Sequence, residues 1–169
     1  MLRALLQMAV VLGTLTGTLS AQTTQPLFLI ERTKNVNKLY YEVNITKNGE
    51  INSKEPIKAF WIMWAKDSTG KTTEPLSFIE KKMAYGYNVE SDPSGQYYNM
   101  VLKPFKERLI KISLLNGIAR AQMLINGQPS YFEKMYIYSK GDSKPDSIKL
   151  YGTEIESGTR KYELVIPKK

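Results

Sequence analysis

The stretch ERLIKISLLNGIARAQMLINGQPSYFEKMYIYS, residues 107–139, decides the fold. Three runs rich in apolar, β-branched and aromatic residues are separated by Asn116-Gly117 and Asn126-Gly127. An Asn-Gly pair supplies the two positive-φ residues of a type I′ turn, whose twist matches that of the strands it joins. The segment therefore predicts at least three consecutive strands in an antiparallel meander.

Working outward, PLFLIERT (26–33), KLYYEVNIT (38–46) and PIKAFWIMWA (56–65) precede it, with Asn48-Gly49 as a further turn signal. GQYYNMVLKP (95–104), SIKLYGTEIE (147–156) and RKYELVIP (160–167) read as strands in the same way, with Ser157-Gly158 between the last two. VESDPSG (89–95) and GDSKPDS (141–147) are polar loops. One segment differs. In EPLSFIEKKMAYGY, Leu76, Ile79 and Met83 recur at intervals of three and four, Pro75 suits a first helical turn, and Gly86 suits a stop. It predicts a short helix over 75–84, covering one end or face of the sheet. Closely spaced strands with one helix imply a mainly β protein, a single-domain antiparallel β-sandwich or a partly closed β-barrel.

The chain opens MLRALLQMAVVLGTLTGTLSAQ, with Arg3 ahead of an apolar stretch and then small and polar residues. That order is the layout of a secretory signal peptide, expected to span 1–21 with cleavage after Ala21, or alternatively after Ser20. The apolar stretch falls short of the ~20 residues that span a bilayer. Residues 22–169 then form one β-rich domain, exported to the periplasm or outside a bacterial cell, with no transmembrane segment after cleavage. The absence of cysteine from a chain of formal charge +8 fits a domain held by apolar burial and its hydrogen-bond ladder. Asn44-Ile-Thr46 matches a glycosylation sequon, which carries no meaning in that setting. The sequence also lacks histidine. This removes Ser-His-Asp and Cys-His nucleophilic sites, His-ligated zinc and thiolate redox chemistry, so catalysis would rest on carboxylates, Lys, Tyr or Ser. No cofactor is implied.

AKDSTGKT, residues 65–72, imitates a nucleotide-binding P-loop with Ala65 in place of the first glycine. A P-loop lysine works because the glycine turn runs straight into a helix whose free N–H groups hold phosphate. Pro75, four residues after Lys71, would break that helix. The segment is therefore expected to be a polar loop between the Trp61 strand and the helix. Glu154 and Glu156 alternate on one strand and would share a face, a spacing that can approach the separation of the two carboxylates a hydrolase of envelope glycan holds across a cleft, with Glu80 as another candidate acid. Asp142 and Asp146 lack the spacing of a calcium loop. Most of the 11 tyrosines cluster, as Tyr40-Tyr41, Tyr85 with Tyr87, Tyr97-Tyr98, and Tyr131 with Tyr136 and Tyr138, and their rings suit both a β core and a sugar, peptide or polymer surface. Basic residues are dispersed, which disfavours nucleic acid and leaves an acidic polysaccharide or an anionic membrane surface as a counterpart.

PLFLIERTKNVNKLYYEV (26–43), PIKAFWIMWA (56–65), LSFIEKKMAYGY (76–87), LINGQPSYFEKMYI (124–137) and IKLYGTEIESGTRKYELVIP (148–167) resemble, in order, blocks of an uncharacterised bacterial family, domain-of-unknown-function family 4833. The resemblance implies an exported bacterial domain with no established activity. Its distinctive parts here are Glu31-Arg32 with Asn35 and Asn37, the Trp61 strand, and Ala84-Tyr85-Gly86. From these the expected role is a binding or structural module for an envelope-associated ligand, whether glycan, lipid or protein, contacted by Arg32, Asn35, Trp61, Tyr85 and Tyr87. The alternatives are the hydrolase and a barrel enclosing an apolar small molecule.

Overall fold

A computed structural model of the chain describes residues 23–64, 70–141 and 144–167. The expected leader and most of the AKDSTGKT segment lie outside the described residues. Both Asn-Gly turns form as the sequence predicts. β7 (Leu109–Leu115), β8 (Ile118–Ile125) and β9 (Gln128–Tyr138) pair antiparallel, with Leu115 opposite Ile118 and Ile125 opposite Gln128. In each turn the Asn has φ 51° and the Gly φ 76°. Alternation then buries Ile110, Ile112, Ala119, Ala121, Met123 and Ile125 on one face.

The remaining strands extend this meander at both ends. β1 (Thr23–Arg32), β2 (Asn35–Ile45), β3 (Ile57–Trp64) and β4 (Lys71–Pro75) form one antiparallel set. β5 (Tyr87–Ser91) and β6 (Tyr98–Leu102) lead into β7, and β10 (Ser147–Glu154) with β11 (Arg160–Val165) folds back along β9. The result is one curled, open sheet of half-barrel form in the order β4-β3-β2-β1-β9-β8-β7-β6-β5, with β10 and β11 branching from β9.

That branch depends on a bulge. Gln128–Tyr131 of β9 pair with β8, whereas Lys134–Ile137 pair in parallel with Leu29–Arg32 of β1. Between these two stretches the register against β10 shifts, with Lys134 opposite Tyr151 and Phe132 opposite Gly152. Glu133 is the extra residue, so the buried positions change from Ser130 and Phe132 to Met135. β9 thus exchanges one neighbour for another along a single edge, and the sheet opens into two lobes. Gln25 spans the gap where β1 and β8 diverge. Its side-chain carbonyl accepts the Ala119 N–H at 2.8 Å and its amide donates to the Gly117 carbonyl at 2.9 Å, standing in for a ladder.

The lobes face each other across the core. Phe28 stacks on Tyr41 with centroids 4.5 Å apart and lies 4.7 Å from Phe132. The Tyr41 hydroxyl donates to the Tyr85 carbonyl and the Tyr87 hydroxyl to the Ile57 carbonyl, both at 2.7 Å. Burial drives the Tyr41 phenol pKa far up, so it stays a neutral donor. At the other end Glu163 of β11 accepts the Asn126 N–H at 2.8 Å and pairs with Arg108, which also donates to the Leu124 carbonyl.

Several expectations need correction. One pairing, β1 with β9, is parallel, because these strands lie in separate meanders and meet only when the sheet assembles. Of the helix expected over 75–84 only a short helical turn over 78–84 forms, its last five residues a π-turn, Glu80–Ala84, while Pro75 belongs to a strand end. Pro75 closes β4 opposite Phe60, and of the three periodic residues only Leu76 is buried. Lys71 and Thr72 lie inside β4, opposite Trp64 and Met63, so the P-loop-like segment connects two antiparallel strands and leads to no helix. β10 ends at Glu154, leaving Glu156 in the following turn rather than beside Glu154 on a strand face. The interior is filled by side chains with no exposed surface, among them Leu39, Tyr41, Val43, Met100, Ile112, Ile125 and Leu150. That packing leaves the apolar-ligand barrel without support.

Candidate functional site

Three of the expected contact residues converge at one end of the half-barrel. Trp61 on β3 and Tyr85, just before β5, meet edge to face at 5.3 Å, and the Arg32 guanidinium lies 5.2 Å from one ring and 5.6 Å from the other. Trp61 and Tyr85 are only 6 and 7 % exposed, and the Arg32 Nε is buried without a hydrogen-bond partner. The Trp61 indole N–H donates to Glu80 Oε1 at 2.9 Å, while the Ser77 N–H and hydroxyl donate to Oε2 at 2.8 and 2.7 Å. The Glu80 N–H returns a bond to the Ser77 hydroxyl at 3.3 Å, which completes a capping box. Its Ser-x-x-Glu signature, Ser77 to Glu80, was legible in the sequence. Both Glu80 oxygens are therefore engaged inside the protein.

Asn35 and Tyr87 lie elsewhere in this frame. The Asn35 side chain accepts the Asn37 N–H at 2.9 Å, closing the β1–β2 turn in which Lys34 has φ 60°. Tyr87 packs edge to face on Tyr41, and its hydroxyl is taken by Ile57. The carboxylates considered for hydrolysis are dispersed. Glu154 bonds the Ser157 hydroxyl at 2.7 Å and Lys161 at 3.0 Å, in a hairpin turn with the exposed Glu156.

Glu80 carries a pH signature. Burial raises its pKa, but the bonds from Ser77 and Trp61 outweigh this and hold it below the ordinary 4.5. A depressed carboxylate pKa contributes stability that is present above the unfolded value and lost as pH falls through the folded one. Glu80→Gln, which sets an amide donor against these donors, is expected to lose about 1 kcal/mol at neutral pH in this partly exposed setting. The gap to the parent should close as pH falls from about 5 towards 3 in urea titrations; a gap independent of pH would refute the assignment.

The open concavity lies on the opposite surface of the sheet. A groove of about 400 Å³ crosses β1, β9, β10 and β11 and is lined by Glu31, Lys134, Tyr136, Tyr138, Lys149 and Tyr151, with Ser147 and Leu164 at its margins. Register explains the assembly. Tyr136 lies opposite Glu31 on one side and Lys149 on the other, and Tyr151 lies between Lys134 and Tyr162. The bulge at Glu133 turns Lys134, Tyr136 and Tyr138 outward together. Lys134 Nζ sits 4.8 Å from the Tyr151 ring centre and Lys149 Nζ 4.9 Å from that of Tyr162. Glu31 bridges Lys38 at 2.6 Å and Lys134 at 3.1 Å. Burial raises the Glu31 pKa and the two lysines lower it, with a net decrease, so the groove carries fixed charges of both signs. Each strand announced its share by alternation, Tyr136 with Tyr138, Lys149 with Tyr151 and Tyr162 with Leu164. Their union depends on a register that no single segment encodes.

These features define a mainly β protein, a curled open sheet with an aromatic and basic groove on its outer face. The family model of the domain of unknown function DUF4833 matches residues 28–163, and the chain belongs to that family. Neither a curated protein nor a solved structure matches it.

Proposed function

We propose that the protein is an exported binding module that takes an acidic glycan of the bacterial envelope in the groove across β9, β10 and β11. The observation that carries this reading is the three-tyrosine, two-lysine lining of an open groove. Tyr136, Tyr138 and Tyr151 offer ring faces for pyranose stacking, with hydroxyls to meet sugar hydroxyls. Lys134 and Lys149 supply point charges for carboxylate or phosphate, while Glu31 holds Lys134 in place and penalises misplaced anions. An open groove suits a polymer that enters and leaves along its length. The leader expected over residues 1–21 supports the same compartment.

The test is affinity electrophoresis of the full chain through gels containing polygalacturonate or peptidoglycan fragments, with neutral dextran as the control. The parent should be retarded by the acidic polymers alone. Lys134→Ala with Lys149→Ala, and separately Tyr151→Ala, should each weaken binding about tenfold at unchanged thermal stability. Equal mobility in all gels would remove the reading.

A further inference from the structure

The π-turn Glu80–Ala84 and the residues just before it have their amphipathicity reversed. Phe78, Ile79 and Met83 are 77, 71 and 68 % exposed, whereas Glu80, the acidic residue between Leu76 and Tyr87, faces inward to Trp61 and Ser77. Ordinary surface turns do the opposite, and a cluster of large exposed apolar side chains marks an interaction site. The turn is also held rigidly. Leu76 and Tyr85 anchor its two ends in the core, and the Tyr85 N–H closes it onto the Glu80 carbonyl at 2.8 Å. Lys103 Nζ donates to the Lys81 carbonyl at 3.1 Å, and Gly86 passes directly beneath that carbonyl. Lys81 and Lys82 stand exposed beside the apolar tip, and neither is paired with a carboxylate among the described residues.

We infer that this knob is a membrane-docking element: Phe78, Ile79 and Met83 enter the interfacial layer of an anionic bilayer while Lys81 and Lys82 meet its phosphate headgroups. Charge complementarity selects the occupant. A tip of three exposed apolar side chains flanked by Lys81 and Lys82 fits an apolar layer beneath a negative surface, and the chain's formal charge of +8 favours the same encounter. Insertion is shallow, a peripheral attachment that leaves the groove on β9, β10 and β11 free. The inference does not depend on the glycan reading, since the two surfaces share no residue.

The chain contains no cysteine, so Met83→Cys gives a single attachment point for an environment-sensitive fluorophore such as NBD. With vesicles of phosphatidylethanolamine and phosphatidylglycerol, the label at 83 should shift to the blue and gain intensity. A label on Ser157→Cys, in the distant β10–β11 turn, should not change, which separates the knob from any attachment through the apolar N-terminal stretch. Lys81→Ala with Lys82→Ala should weaken vesicle binding about 30-fold. In unlabelled protein, Phe78→Ser with Ile79→Ser should lower the vesicle-floated fraction at an unaltered circular dichroism spectrum. No shift at 83 would overturn the inference. So would a shift that appears without lipid as protein concentration rises, since the tip would then be covered by a second copy.

Discussion

Phe132→Ala is expected to destabilise the protein by about 3–5 kcal/mol, the largest loss of any single substitution considered for this core. Phe132 is 1 % exposed and lies opposite Gly152, just before the bulge at which β9 leaves β8 for β1. Its ring touches Phe28, which stacks on Tyr41, so one side chain joins the two lobes. Truncation opens a cavity at the joint, where neither lobe can collapse without moving β9. For a domain with ordinary stability of about 5–15 kcal/mol the loss is a large fraction of the total. Urea denaturation followed by circular dichroism measures it directly. Tyr131→Ala, one residue away on the outer face with its half-buried ring beneath the Arg120 guanidinium, provides the control at about 1 kcal/mol or less. Equal costs for the two would mean that the joint is not the packing centre.

Gly86→Ala is the second large expected effect. A Cβ at this position would stand 1.6 Å from the Lys81 carbonyl oxygen, a backbone atom that cannot swing aside. Accommodation requires moving the π-turn or the start of β5. Moving the turn lengthens the Tyr85 bond to Glu80, and moving β5 breaks the bond from the Lys103 N–H to the Gly86 carbonyl. The cost is expected at about 3 kcal/mol, the upper part of the range for overpacked sites. Amide hydrogen exchange should localise the damage, with protection lost at Tyr85 and Lys103 before β7 and β8. Gly117→Ala adds a useful contrast, because its Cβ meets nothing and its cost comes from φ 76° alone. A Gly86 variant as stable as the parent would show that the turn adjusts freely.

The parts of this fold that the sequence made legible are those encoded locally. Asn116-Gly117 and Asn126-Gly127 determine two hairpins within a few residues, so three strands could be placed. β4 was not read, since KTTEP is short, polar and fully exposed, and gains its identity only by pairing with β3. The helix expected over 75–84 forms only as a short turn over 78–84, for a related reason. The spacing of Leu76, Ile79 and Met83 is helical, but the turn directs Ile79 and Met83 outward, so periodicity mistook an exposed tip for a buried stripe. Arg32, Trp61 and Tyr85, expected as ligand contacts together with Asn35 and Tyr87, pack against one another, and the Trp61 and Tyr85 rings are buried beneath the turn. The parallel contact of β1 with β9 had no local signature, and the groove it helps to build stayed hidden with it.

The ladder between β1 and β9 also bears on how the chain becomes folded. Leu29 and Lys134 lie about a hundred residues apart, whereas every other ladder among the described residues joins strands adjacent in sequence. Closing so long a loop is slow compared with forming hairpins. The two meanders can therefore take shape independently and early. The inner edge of β1 waits for a partner that leaves the ribosome, and any translocation pore, much later. During that interval the apolar side of the first meander is open to misassembly, a cost in folding time that the finished half-barrel no longer reveals.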